Sequence, residues 1–163
     1  MVEKETKIDV TQENEMDLLE GLLKAAEYKK KETKTIQIRR GGEKPLFSFA
    51  IRPLSADEVA DARKNATTYM PNPNNPKLPP IPKETSDPDF LAWEIYLATE
   101  GNIGEKIWDK KELKTGLINQ GHEICTNIDV IKEVLTSGEI VQVTNVIDEI
   151  SGDNDALINY AKN

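Results

Sequence analysis

The sequence predicts an α+β fold that is mainly α, with one β-hairpin near the N-terminal third packed by about five or six helices. Three observations carry that expectation. Two short alternating apolar runs flank the turn signal Gly41-Gly42. The string Leu54-Ser55-Ala56-Asp57-Glu58-Val59 combines a capping box (Ser55, Glu58) with a hydrophobic staple (Leu54, Val59), which marks a helix start. Apolar residues then recur at helical spacing from Phe90 to Ile150.

Taken in order, residues 1–10 form a charged tail. Residues 14–30 read as a helix. Asn14 can cap it, Glu15, Asp17 and Glu20 sit early, and Lys29, Lys30 and Lys31 sit late, as the helix dipole favours. Met16, Leu19, Leu23 and Ala26 follow 3-4-3 spacing, with Leu18 and Leu22 beside them, so the helix carries one apolar stripe. That stripe either docks on its own domain or meets a partner. In the hairpin, Ile36 and Ile38 share one face of the first strand, and Phe47, Phe49 and Ile51 share one face of the second. A lone hairpin is marginal in water, so helices must cover its apolar face.

The helix opened by Ser55 should run to about Thr68. Residues 71–88 hold seven of the nine prolines and read as a long exposed loop, because missing amide donors and restricted φ block helix and sheet. The rest reads helical. Asp87-Pro88 opens a segment reaching about Glu100, and an apparent capping box at Asp109–Glu112 opens one reaching about Ile118. Further helices are expected over 129–136, from a Ser137 cap onward with Ile140, Val143, Ile147 and Ile150 in register, and over 155–161. The expected organisation is a charged tail plus amphipathic helix over 1–32, then a single α+β domain over 33–163 with the proline-rich loop at 71–88.

Size and composition limit the function classes. A chain of 163 residues is about one domain and can bury a core without disulfide or metal. The single cysteine, Cys125, fits a reducing cytoplasm. Mean hydropathy is -0.56, no apolar run approaches the length of about 18 residues that a membrane span needs, and the charged start predicts no secretory leader. The net charge of -8 is uneven, at -3 over residues 1–32, +1 over 33–122 and -6 over 123–163. That field repels a phosphate backbone, so neither nucleic acid nor membrane is an expected partner. The acidic C-terminal third is a solvated face or a surface that steers basic partners.

Catalytic chemistry finds little to work with. His122 is the only histidine. His122-Glu123-Ile124-Cys125 lacks the second histidine of a metalloprotease motif, and a Cys–His dyad there would have no adjoining oxyanion hole. There is no Walker A loop, and Gly41-Gly42 is too short to cradle phosphate. No catalytic residue, cofactor or metal is expected, which leaves a binding function.

The order of elements resembles a known family, the XkdN-like tail assembly chaperones of phages and prophages. Four stretches carry the resemblance. They are Phe47-Ser48-Phe49-Ala50-Ile51-Arg52-Pro53-Leu54-Ser55-Ala56-Asp57-Glu58 followed by Ala62-Arg63; Leu97-Ala98-Thr99-Glu100-Gly101; Trp108-Asp109-Lys110-Lys111-Glu112-Leu113; and Val134-Leu135-Thr136-Ser137-Gly138-Glu139-Ile140 with Ile150-Ser151-Gly152 and Ala161-Lys162-Asn163. Two departures are visible: Asp153 stands where the family has an apolar residue, and the proline-rich stretch is longer than the pattern requires. The resemblance implies a non-enzymatic protein of the host cytoplasm that holds the tape measure protein soluble during tail assembly. It leaves tail tube subunits and a second copy of the chain open as further partners. The alternative role is a structural tail or baseplate component. The candidate partner-binding residues are Met16, Leu19, Leu22 and Leu23 on the first helix, and Ile140, Val143 and Ile147 near the end, where core packing is the competing explanation.

Overall fold

The computed structural model describes residues 12–28 and 33–152. The chain divides into two compact units, Met1–Glu32 and Thr33–Asn163. The first contributes one helix, α1 (Gln12–Tyr28). It begins and ends two residues earlier than the sequence suggests. Its side chains are described for residues 17–27, where Glu20 and Lys24 form an i,i+4 ion pair at 2.8 Å.

The second unit opens with the expected hairpin. Strand β1 (Lys34–Ile38) pairs antiparallel with β2 (Phe47–Ile51), placing Ile36 opposite Phe49 and Ile38 opposite Phe47. Ile38, Phe49 and Ile51 are buried. The free edge of β2 is partly covered by the segment after the third helix. Arg52 N donates to Ala98 O at 2.8 Å and Glu100 N to Ala50 O at 2.9 Å. A sheet of two strands thereby gains a third backbone partner, which lowers the cost of an unpaired edge.

Helix α2 (Ala56–Asn65) starts on Ser55, whose Oγ accepts from Glu58 N at 3.2 Å. It stops three residues short of the expected Thr68, because the chain turns into a second hairpin. Strand β3 (Thr67–Met70) pairs antiparallel with β4 (Ile81–Thr85). This corrects the reading of 71–88 as loop throughout, since only residues 71–80 connect the strands. Each strand of a two-stranded sheet keeps one free edge, so the proline at Pro82 is tolerated without an amide donor. The register shifts between Thr68 and Tyr69, and the Thr67 and Thr85 hydroxyls pair at 2.8 Å across the ladder. In the connection, Asn72 and Asn75 side chains accept from Asn74 N and Lys77 N at 3.0 Å, holding two tight turns.

Helix α3 (Asp87–Ala98) is capped by Ser86 rather than Asp87, with Pro88 inside its first turn, where a missing amide costs nothing. A 3-10 turn over Ile107–Asp109 precedes α4 (Lys111–Asn119). Here the expected capping box at Asp109 does not form. The Asp109 carboxylate instead accepts from Lys106 N at 2.9 Å and from the Tyr96 hydroxyl at 3.0 Å, so it closes the turn behind it. Gly121, at φ 94, ends α4 in the left-handed region.

Helix α5 (Asn127–Val134) starts two residues before the expected Asp129. That carboxylate accepts from Thr126 N at 2.8 Å and Cys125 N at 2.9 Å. Helix α6 (Ser137–Ile150) is capped by Thr136, not Ser137, and its box closes with Thr136 N donating to Glu139 Oε1 at 2.8 Å. The helix expected over 155–161 lies outside the described residues.

The core lies where α3, α5, α6 and the first hairpin meet. Ile95 and Ala92 of α3, Val130 and Ile131 of α5, Val143 and Ile147 of α6, and Phe49 and Ile51 of β2 are all nearly or fully buried. Trp108 inserts beneath the hairpin, edge-on to Phe49 at 5.2 Å and Phe47 at 6.3 Å.

Candidate functional site

Of the two reactive side chains singled out in the sequence, His122 is engaged structurally. His122 Nδ1 meets Glu133 Oε2 at 2.7 Å, tying the α4–α5 connection to α5. Cys125 is exposed, and its own amide belongs to the Asp129 cap. Among the described residues, no group of three or more His, Cys, Asp or Glu is arranged to hold a metal ion. No described helix is long and apolar enough to cross a membrane.

The polar groups buried in the second unit hold its architecture. Lys106 is 3% exposed, and its ammonium donates to Thr99 O at 2.6 Å and Leu97 O at 3.1 Å, satisfying carbonyls at the end of α3. Burial and the nearby Arg52 guanidinium lower its pKa to about 8, against the opposing pull of Asp109 and Glu58. Trp108 Nε1 donates to Thr99 Oγ1 at 2.9 Å, and that hydroxyl donates to Ile95 O at 2.6 Å. Glu94 is buried on α3. Desolvation and the negative Asp148 push its carboxyl up to about 7, with Arg63 pulling the other way. Arg63 itself stacks over the Phe90 ring at 4.5 Å.

A binding function requires exposed apolar surface, and the two sequence candidates differ sharply in exposure. On α6, Val143 and Ile147 are 2% and 1% exposed, and Ile140 is half-buried against the same cluster. Their surface is taken up by the core, and the exposed apolar residue of α6 is Val141. On α1, Leu18, Leu19, Leu22 and Leu23 are each 58–60% exposed. The side chain of Met16 lies outside the described residues.

At about 100° per residue, Leu18, Leu22, Ala25, Ala26, Leu19 and Leu23 share one broad side of α1. Asp17, Glu20, Gly21, Lys24 and Glu27 take the other. The face is hydrophobic, wide and continuous. Fully burying a leucine is worth about 1.5–3 kcal/mol. With over half of each side chain still wet, covering these four would yield about 4–7 kcal/mol. Association itself costs about as much, so a single such contact is modest and reversible.

Smaller exposed apolar groups lie elsewhere. Tyr69, Met70 and Leu78 belong to the second hairpin and its connection, and Leu46, Ile103 and Ile118 stand singly. The hairpin group was hidden in the sequence, because Pro79, Pro80 and Pro82 signal loop where the second strand forms.

No curated protein and no solved structure matches the chain. A family model described as Phage XkdN-like tail assembly chaperone protein, TAC, matches residues 19–161, which takes in Leu19, Leu22 and Leu23 of α1, all of the second unit's described elements and the connections between them. On that match the chain belongs to the XkdN-like phage tail assembly chaperones.

Proposed function

We propose that this protein works by reversible burial of another chain's apolar surface, and that the chain it holds is the tape measure protein of a phage tail. The observation that carries the reading is the exposed leucine face of α1 in a member of a tail assembly chaperone family. A tape measure protein is long and helical, and before tube subunits wrap it, its apolar stripes would self-associate. A small helix that covers one stripe at a time blocks that association. Because each contact is weak, many copies can be displaced in turn as the tube grows. The site of this work would be the cytoplasm of the bacterial host.

Co-expression of the two proteins tests the proposal. The tape measure protein should move from the pellet to the supernatant and co-purify with this chain. An unchanged aggregated fraction with no co-purification would refute it. Mass spectrometry of purified phage particles supplies the second arm: a chaperone is lost before maturation, whereas a tail or baseplate component stays.

A further inference from the structure

The second hairpin grows from a junction of two helices. Strand β3 follows α2 after Ala66, and β4 leads through Ser86 into α3. Thr67 Oγ1 donates to Arg63 O at 2.6 Å and Ser86 N to Ala66 O at 2.9 Å, so the end of α2 and the start of α3 are joined at the root of the hairpin. One side-chain contact spans the same root, the Arg63 guanidinium over the Phe90 ring at 4.5 Å.

Glu94 lies one turn beyond Phe90 on the same face of α3. It is 5% exposed, and its carboxyl makes no hydrogen bond or ion pair with another described residue. A buried carboxylate needs a counter-ion, and Arg63 of α2 is the cation that acts on it. Yet Arg63 rests on the ring. The other charges packed around α3 do not take its place. Helix α6 brings Asp148, which opposes ionisation; α5 brings Lys132, paired with Asp89 at 2.7 Å; the end of β2 brings Arg52, paired with Glu58 at 2.7 Å.

We infer that Arg63 is a two-position side chain: it clamps Phe90 while Glu94 carries a proton, and turns to the Glu94 carboxylate once that proton leaves, which unclamps the root of the second hairpin. The two positions are one helical turn apart on α3, within the swing of a long side chain that stands exposed. An exposed cation–ring contact is weak, whereas a charge-assisted hydrogen bond to a carboxylate with no other partner is strong, so the charge on Glu94 decides the position. Burial and Asp148 set the changeover at about pH 7, with the clamp closed below it and open above. The proton thereby acts on the element that carries the exposed Tyr69, Met70 and Leu78. The switch belongs to the second unit alone and does not depend on which partner the chain holds.

NMR spectroscopy and hydrogen exchange of the full-length protein, from about pH 5.5 to about pH 8.5, test the inference. At the acid end the Arg63 δ-protons should show the upfield shift of a group lying over an aromatic ring. That shift should disappear as pH rises through about 7. Over the same range, protection factors for residues 67–70 and 81–85 should fall about two- to fivefold, the worth of one exposed cation–ring contact. Glu94→Gln should keep the ring shift and the full protection at both ends. Asp148→Asn removes the like charge and should move the midpoint to lower pH. Phe90→Leu should show the lower protection at every pH. Should Phe90→Leu fail to fold, the wild-type titration and the near-isosteric Glu94→Gln carry the test by themselves. A ring shift and a hairpin protection that stay constant across the range in the wild-type chain would overturn the inference, as would a fall in protection that persists in Glu94→Gln.

Discussion

Arg40, in the connection between β1 and β2, grips Glu139 at the start of α6, 99 residues away in sequence. Its guanidinium donates to both carboxylate oxygens, at 2.6 and 3.2 Å, and to Val134 O at 2.5 Å. One side chain thus ties the first hairpin to the α5–α6 junction. The same carboxylate closes the Thr136 capping box, so Glu139 serves the tie and the cap together. The Arg40 hydrogen bond holds the Glu139 carboxyl below the usual carboxylate range, against the opposing effect of burial and with help from the Thr136 cap.

Glu139→Gln should lower the melting temperature at neutral pH more than Arg40→Lys does, because only the first change weakens both the tie and the cap. A group whose folded pKa is depressed stabilises above its unfolded pKa and loses that contribution as pH falls. The difference between Glu139→Gln and wild type should therefore narrow below about pH 4. Thermal melts at pH 7 and pH 3.5 check this.

Glu94 has the opposite sign. Its folded pKa of about 7 lies above the value of 4.5 for a free glutamate, so the folded chain binds more protons between those limits. The favourable contribution is complete below the unfolded value and is lost as pH rises toward 7. Glu94→Gln should raise stability above pH 7 by about 1–3 kcal/mol and change little at pH 4. Urea denaturation across that pH range measures it.

Lys106 anchors the buried polar cluster. Lys106→Ala leaves the Thr99 and Leu97 carbonyls without their donor and opens a cavity beside Tyr96, which should cost about 2–4 kcal/mol. Trp108→Phe removes the donor to Thr99 Oγ1 and part of the packing under Phe49, at about 2–3 kcal/mol. Chemical denaturation gives both values. A change below about 0.5 kcal/mol in either would mean that the cluster is dispensable.

The two apolar stripes should separate cleanly in mutation. Ile147→Ala should destabilise the second unit by about 2–5 kcal/mol, since Ile147 is 1% exposed. Leu19→Ser with Leu23→Ser should leave the cooperative melt of that unit unchanged while removing the protein's hold on its partner.

That contrast also shows what can be read from spacing alone. Leu19 and Leu23 have the same helical periodicity as Val143 and Ile147, and periodicity reports a face, not what covers it. Burial is decided by the neighbours: α6 packs on α3, while all described side chains of α1 are exposed. The first hairpin was legible because Ile36, Ile38, Phe47, Phe49 and Ile51 alternate without interruption. The second was not, since Pro79, Pro80 and Pro82 signal loop to any local rule, and Pro82 is accepted opposite Tyr69 only because the sheet has two strands and each keeps a free edge. Helix starts were displaced by one or two residues where two capping residues adjoin, as with Thr136 and Ser137. At Asp109 the local pattern pointed forward to Glu112, but the Lys106 amide and the Tyr96 hydroxyl hold that carboxylate behind.

Hydrogen exchange of the co-purified complex with the tape measure protein tests the central claim most directly. Amides of residues 17–27 should exchange far more slowly in the complex than in the free chain, while protection within residues 33–152 stays the same. Protection confined to residues 33–152, with α1 exchanging as fast bound as free, would contradict the account.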